Sequence, residues 1–271
     1  MTDLVEQLHI INELADVSGE VINQYFRESN IETETKKFER SSIVTIADRA
    51  AEEAMVKILR QKASNDGVIR EEGKNIPSQN GRYWVLDPID GTSSFVKGLP
   101  VFGTLIGLVD EDYDAPLLGC MNQPVLQERW LGIHGKLPTL NGKVVNNTYS
   151  QQTDVHLENV CLASTTPMMF VTERQQEIAT RLQNTCKRIA FGGDCYNYVS
   201  LASGWSSMPM VILESDLKYY DFCALIPIIE GAGCVLTDWS GNPLNRQSTE
   251  VLATSNKTLH EKALKVMNCQ Y

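Results

Sequence analysis

The stretch "YWVLDPIDGTSSF" at residues 83–95 decides how the rest of the sequence is interpreted. An apolar run ends there in two aspartates, Asp87 and Asp90. Because proline restricts its own backbone and that of the preceding residue, the chain is expected to turn sharply at Pro88. Two carboxylates converging at such a turn repel each other unless a cation lies between them, and all-oxygen ligation suits Mg²⁺ or Mn²⁺. The alternative is an Asx turn or helix cap, in which each Asp only satisfies nearby N–H groups.

Further acidic residues occur where other strands are predicted to end and helices to begin. Glu71 and Glu72 close the predicted strand "GVIREE", Asp221 is the first residue of the predicted helix "DFCALIPIIEGAG", and Asp48 lies just inside a helix that begins near Thr45. Taken singly, each is explained by solvation or by a favourable interaction with a helix dipole. The hypothesis of a metal site therefore depends on the whole set.

Composition narrows the class of protein. The chain has 271 residues and a net charge of −10, with no lysine- or arginine-rich run of the kind that binds nucleic acid, so we expect no nucleic-acid partner. The seven cysteines are odd in number and show no C-x-x-C pair, which indicates reduced thiols and a cytoplasmic protein. We also expect neither a signal peptide nor a membrane span, because no apolar stretch approaches the ~20 residues that a span needs.

The order of the predicted elements favours a layered α/β fold. Apolar spacing predicts an amphipathic helix over residues 3–26, and strands within residues 67–133 are expected to form an antiparallel meander. In the second half, strands alternate with helices, including helices at about 172–184 and 257–267. Alternation of this kind packs helices against sheets in layers.

Two long motifs resemble the signatures of the inositol monophosphatase superfamily. They are "WVLDPIDGTSSF" at residues 84–95 and "YYDFCALIPIIEGAGCVLTDWSGNPL" at residues 219–244, and the resemblance extends over about residues 4–267. It implies an α/β/α/β/α sandwich, with one domain made of a metal- and phosphate-binding half (about 1–150) and a substrate-binding half (about 151–271). It also implies a lithium-sensitive, homodimeric phosphomonoesterase that uses two or three Mg²⁺ ions, for which Mn²⁺ can substitute.

The resemblance assigns roles by position. The implied metal ligands are Glu71, Asp87, the main-chain carbonyl of Ile89, Asp90 and Asp221. The implied phosphate-binding residues are Gly91, Thr92 and Ser93, and Thr92 with Asp48 is implied to orient the attacking water. The chain departs from the pattern at Arg70, where the family usually has glycine, and in a longer segment between Gly204 and Glu214.

The substrate is suggested by a third stretch. "GDCY" at residues 193–196, together with "LKYYD" at residues 217–221, resembles the histidinol-phosphate phosphatase branch. Asp194 and Glu214 are predicted to pair with the ammonium group of histidinol phosphate; the alternative for Asp194 is a helix N-cap, at which Asp is favoured. Arg188 is predicted to face either the substrate or a partner subunit. An inositol, sugar or nucleotide phosphatase and a catalytically inactive ligand-binding relative remain open alternatives.

Overall fold

The computed structural model describes residues 2–28, 33–35, 43–111 and 115–269. Within these residues, no helix is long and apolar enough to cross a membrane. All seven cysteines lie in the described part and carry free thiols.

A seven-stranded sheet forms the first half of the chain. A short antiparallel pair, β1 (Thr33–Thr35) and β2 (Ile43–Thr45), precedes it in the chain. The polar sequence of residues 27–42 predicts a loop or an irregular hairpin, of which residues 29–32 and 36–42 lie outside the described residues. The sheet contains, in spatial order, β3 (Gly67–Arg70), β4 (Arg82–Asp90), β5 (Gly103–Asp110), β6 (Leu118–Gln123), β7 (Glu128–Ile133), β8 (Thr139–Leu140) and β9 (Lys143–Val144). β4 to β7 form an antiparallel meander as predicted, but β3, which is also predicted to belong to it, runs parallel to β4.

A five-stranded mixed sheet forms the second half. Its strands are β10 (Cys161–Ser164), β11 (Arg188–Phe191), β12 (Met210–Glu214), β13 (Val235–Thr237) and β14 (Val251–Thr254), in the order β11-β10-β12-β14-β13. The helices are α1 (Thr2–Tyr25), α2 (Ile46–Lys62), α3 (Thr92–Val96), α4 (Glu173–Thr185), α5 (Asp194–Ser203), α6 (Tyr219–Phe222), α7 (Ile226–Gly231) and α8 (Lys257–Asn268).

The elements stack in five layers, so the predicted sandwich is confirmed. α1 and α2 cover one face of the seven-stranded sheet, and α5, α6 and α7 fill the space between the two sheets. α4 and α8 cover the outer face of the five-stranded sheet. Alternation along β12 shows why both faces are buried, since Met210 and Ile212 pack inward while Val211 and Leu213 pack outward.

Three local expectations differ from the structure. β3 ends at Arg70, so Glu71 and Glu72 lie in the following turn. β4 does not turn away at Pro88 but continues to Asp90, with a shift in its pairing to β5 between Asp87 and Asp90. Such an irregularity accommodates a proline, which cannot donate a ladder hydrogen bond.

The helix predicted from Asp221 onward is also interrupted. α6 passes into a 3₁₀ turn at Cys223–Leu225, and α7 then begins with Pro227 in its first turn. Proline is tolerated there because the first N–H groups of a helix have no acceptor within that helix. The break sets α6 apart as a short segment beside the end of β4.

Candidate functional site

Three aspartates from two elements converge where β4 ends. Asp87 and Asp90 come from β4 and Asp221 from α6, and one carboxylate oxygen of each lies within 4.8 Å of the others. Asp87 lies on the same face of β4 as Val85, which packs against the helical layer that contains α6. The structure therefore brings together residues that are more than 130 positions apart in sequence, as the metal-site hypothesis requires.

Burial makes this concentration of negative charge unfavourable without a cation. Burial, followed by the charges of Glu71, Asp90 and Asp221, raises the pKa of Asp87 well above its usual range. Burial, followed by the charges of Asp194 and Asp221, likewise raises the pKa of Asp90. Burial raises the pKa of Asp221 to about 8. The three pKa values rise because the ionised carboxylates are not stabilised by positive charge.

The donor set fits a hard divalent cation. Among the described residues, no donor bonds to the buried Oδ1 of Asp87, although buried carboxylate oxygens are normally hydrogen-bonded. Glu71, in the turn after β3, lies within hydrogen-bonding reach of Asp87. The carbonyl of Ile89 accepts the Thr92 hydroxyl at 3.0 Å and retains a second lone pair. Carboxylate and carbonyl oxygens of this kind suit Mg²⁺ and Mn²⁺.

Asp48 and Thr92 form the predicted pair beside this cluster. Thr45 caps α2, and Asp48 accepts the Thr45 N–H at 2.9 Å through Oδ2, which completes a capping box. Its other oxygen, Oδ1, faces the Thr92 hydroxyl at 3.2 Å. Burial raises the pKa of Asp48 to about 6, against the lowering effect of the Thr45 hydrogen bonds. Asp48 is thus held rigidly by its own helix and is poised to exchange a proton near neutral pH.

The turn into α3 presents main-chain N–H groups close to the aspartates. Gly91 caps α3 in the left-handed conformation (φ 90°), where a side chain would be strained and its Cβ would lie 2.9 Å from an Asp194 oxygen. Thr92 and Ser93 occupy the first turn of α3, where N–H groups have no acceptor within the helix. The predicted phosphate-binding residues therefore lie next to the acidic cluster.

A cavity of about 130 Å³ opens beside Asp90 and Asp221. Its lining includes the two predicted substrate residues, Asp194 and Glu214, and also Thr165, Met169, Cys195, Tyr198 and Leu217. Glu214 is buried, and burial raises its pKa, opposed by its hydrogen bonds. The cavity thus carries two carboxyl groups beyond those that surround the metal position.

The structure contradicts the N-cap alternative for Asp194. Gly193 caps α5, and Asp194 is its first residue, with a left-handed φ of 42° and its carboxylate accepting the Ser94 hydroxyl at 2.8 Å. Asp90 performs the capping function instead, because its Oδ2 accepts the Cys195 N–H at 2.6 Å. This contact spans the two halves of the chain, so spacing within residues 193–203 did not indicate it.

Arg188 is not brought to the cavity. It is exposed at the first residue of the edge strand β11, whereas Asp194 follows the opposite end of that strand. Arg188 does not line the cavity, so a role in binding substrate or a partner subunit stays a prediction.

Sequence reasoning missed the residues that hold the two cavity carboxylates. Glu214 accepts the Thr165 N–H at 3.1 Å, the Thr165 hydroxyl at 2.6 Å and the Tyr198 hydroxyl at 2.6 Å. Tyr198 lies on the buried face of α5, and its sequence spacing does not distinguish it from a core residue. The hydroxyl-rich "GTSS" motif was the one available signal for Ser94, the partner of Asp194.

The raised pKa values predict how pH affects the stability of the cation-free protein. Because the folded state holds protons on Asp87, Asp90 and Asp221 that the unfolded chain has released, the free energy of unfolding falls as pH rises from about 4 toward 8. We expect the melting temperature in excess EDTA to be lower at pH 8 than at pH 5.5, and Mg²⁺ to restore it at pH 8. Calorimetry with and without Mg²⁺ checks this; a cation-free melting temperature that rises over this range contradicts the electrostatic account.

Similar sequences and structures point to one family and one fold. The model of the inositol monophosphatase family matches residues 3–270. The protein named bifunctional phosphatase IMPL2, chloroplastic, from Arabidopsis thaliana is 41% identical over 97% of this chain and 75% of its own length. A histidinol-phosphatase from Chlorobaculum parvum is 32% identical over 88% of both chains.

A solved structure gives the same result. An inositol monophosphatase from Zymomonas mobilis superposes with a TM-score of 0.81 at 36% identity, covering 97% of this chain and 98% of the other. The structural similarity therefore covers nearly the whole length of both chains.

Proposed function

Because the chain belongs to the inositol monophosphatase family, whose members are metal-dependent hydrolases of phosphate monoesters, we propose that its substrate is histidinol phosphate. The observation that carries the proposal is the pair of surplus carboxyl groups, Asp194 and Glu214, in the cavity beside the metal position. A neutral polyol gains little from two carboxylates, whereas an ammonium group forms charge-assisted hydrogen bonds with them. Histidinol phosphate carries an ammonium group and inositol phosphate does not.

The chain's own residues support a simple mechanism. The N–H groups at Gly91, Thr92 and Ser93 bind the phosphate oxygens, while Asp87, Asp90, Asp221, Glu71 and the Ile89 carbonyl would hold Mg²⁺. When bound, Mg²⁺ neutralises the ester's charge, lowers the pKa of the attacking water and stabilises the leaving oxygen.

Proton movement is assigned to Thr92 and Asp48. The one proton of the Thr92 hydroxyl has two acceptors in reach, the Ile89 carbonyl at 3.0 Å and Asp48 Oδ1 at 3.2 Å. When it points to Asp48, Oγ1 accepts a hydrogen bond from the attacking water. The carboxylate of Asp48 then receives the proton, as its pKa of about 6 allows. Asp194 and Glu214 orient the alcohol part of the ester, and Ser94, Thr165 and Tyr198 hold them in place.

The second candidate substrate is inositol phosphate, which the family and the Zymomonas mobilis structure favour. The test is a comparison of kcat/KM for histidinol phosphate, inositol 1-phosphate and nucleotide 3′-phosphates with Mg²⁺ present. We expect the largest value for histidinol phosphate. A clear preference for inositol 1-phosphate contradicts the proposed substrate while leaving the phosphatase activity intact.

Neutralising Asp194 tests the same proposal at one residue. Asparagine tolerates the left-handed backbone at this position and still accepts the Ser94 hydroxyl. We expect Asp194→Asn to raise KM for histidinol phosphate about tenfold and to leave KM for inositol 1-phosphate nearly unchanged. Because the change also removes a negative charge near Asp90, the assay uses saturating Mg²⁺, so that weaker metal binding does not contribute to KM for either substrate. Equal effects on both substrates contradict pairing with the ammonium group.

Four further expectations stay predictions. They are the assembly of a homodimer, a cytoplasmic location, the absence of a nucleic-acid partner, and the division into a metal- and phosphate-binding half and a substrate-binding half near residue 150. The boundary is consistent with the sheets, since β3 to β9 lie before residue 150 and β10 to β14 after it. The exposed apolar side chains of Ile189 and Phe191 on the edge strand β11 are consistent with a subunit interface.

A further inference from the structure

Arg70 stands directly before Glu71, at the position where the family resemblance leads one to expect glycine. Its side chain is only 8% exposed and lies against Glu52 of α2, whose side chain is fully buried. We propose that Arg70 and Glu52 form a positioning pair that holds the turn carrying Glu71 in the geometry that binds a divalent cation. This inference rests on the proposed role of Glu71 as a metal ligand.

One carboxylate fixes the chain on both sides of Glu71. The Arg70 Nε donates to Glu52 Oε1 at 2.9 Å, and a second guanidinium nitrogen lies 2.8 Å from the same oxygen. The other oxygen of Glu52 accepts the main-chain N–H of Glu72 at 2.9 Å. Because Glu52 belongs to the long helix α2, both neighbours of Glu71 are tied to a rigid element.

The rest of the turn is built around the guanidinium. The Arg70 N–H donates to Asn75 Oδ1 at 2.9 Å, and Arg70 also forms an ion pair with Glu53. Any larger residue at position 73 would place its Cβ on the Arg70 guanidinium. The glycine there leaves room for the Arg70 side chain to lie across the turn. Arginine suits this role because its planar fork presents several donors in fixed geometry.

The pair has a consequence beyond stability. Removing the guanidinium leaves a buried carboxylate without its counter-charge, which drives the Glu52 side chain toward another position. That movement weakens the bond to the Glu72 N–H and loosens the turn. Glu71 then meets the cation in a wider range of positions, and metal affinity falls. Residues that orient metal ligands in this indirect way typically change metal affinity by about 10- to 100-fold.

The test measures Mn²⁺ binding to the whole protein after chelator treatment, without substrate, from the electron paramagnetic resonance signal of free Mn²⁺. We expect Arg70→Met to raise the Kd for Mn²⁺ about tenfold. Arg70→Lys, which keeps the charge but loses the fork, should fold and give an intermediate Kd. The matched control is Arg82→Met. Arg82 also forms an ion pair with a buried carboxylate, that of Asp66, at 3.2 Å. This pair lies at the start of β4, whereas the metal position lies at its end. The control variant should lower the melting temperature and leave the Kd within about twofold of wild type.

Three results overturn the inference. If the Arg70 variants lower the melting temperature but change the Kd no more than Arg82→Met does, the pair is only structural. If Glu71→Gln weakens Mn²⁺ binding and the Arg70 variants do not, the positioning role fails and the metal assignment stands. If Glu71→Gln leaves the Kd unchanged, Glu71 is not a ligand and both fail.

Discussion

Asp90→Asn is expected to lower kcat for any phosphate ester by about 10³-fold or more, equivalent to about 4 kcal/mol of transition-state stabilisation. Asp90 is the last residue of β4 and lies close to Asp87 and Asp221, where its carboxylate would bind Mg²⁺. An amide is a much weaker ligand for a hard cation because it carries no charge. The measurement is steady-state kinetics with Mg²⁺ in excess.

The same variant should keep its fold. The amide oxygen of the new side chain can still accept the Cys195 N–H that Asp90 Oδ2 accepts now. The substitution also removes a charge that burial, Asp194 and Asp221 disfavour, so the cation-free melting temperature should not fall. Asp66→Asn is the control, because Asp66 is a buried carboxylate that lies outside the site. It accepts the Trp84 indole N–H at 2.9 Å. The control variant should lose stability and keep kcat. Near-wild-type kcat in Asp90→Asn contradicts the metal site.

Thr92→Val is expected to lower kcat by about 10²-fold with little change in KM, because it removes the hydroxyl that we propose relays a proton to Asp48 and keeps the size of the side chain. Thr104→Val is the matched control. The Thr104 hydroxyl donates to the Pro88 carbonyl at 2.9 Å, much as the Thr92 hydroxyl donates to the Ile89 carbonyl. Both variants lose one such hydrogen bond, but Thr104 does not contact Asp48 in any hydrogen bond of the described residues.

We expect Thr104→Val to lower the melting temperature and to keep kcat. If kcat falls equally in the two variants, the loss in Thr92→Val comes from a change in the backbone near Asp87 and not from the lost proton relay. If Thr92→Val keeps wild-type kcat, the proton relay is wrong.

The meeting of Asp87, Asp90 and Asp221 could be predicted because the residues lie in long motifs whose resemblance assigns them to one site. Periodicity also indicated the layers, since apolar alternation in strands such as β12 and amphipathic spacing in α1 depend on local sequence alone. These features are properties of individual segments, or of motifs that recur as units.

Contacts between distant segments could not be predicted in the same way. The Asp90 bond to Cys195 spans 105 residues and the Ser94 bond to Asp194 spans 100. The preference of Asp for helix caps offered that role as the alternative for Asp194, but the hydrogen bond between the end of β4 and the first turn of α5 gives the function to Asp90. The continuation of β4 through Pro88 likewise depends on its pairing with β5, which local proline rules do not contain. Tertiary packing determined each of these outcomes.

The account depends most on cations bound between β4, α6 and the turn after β3. The most direct measurement is anomalous diffraction from crystals of the protein soaked with Mn²⁺. We expect anomalous peaks within bonding distance of Asp87, Asp90 and Asp221, with Glu71 beside one of them. Crystals that show these four side chains in the same arrangement with no peak among them, at Mn²⁺ concentrations that support activity, would contradict it.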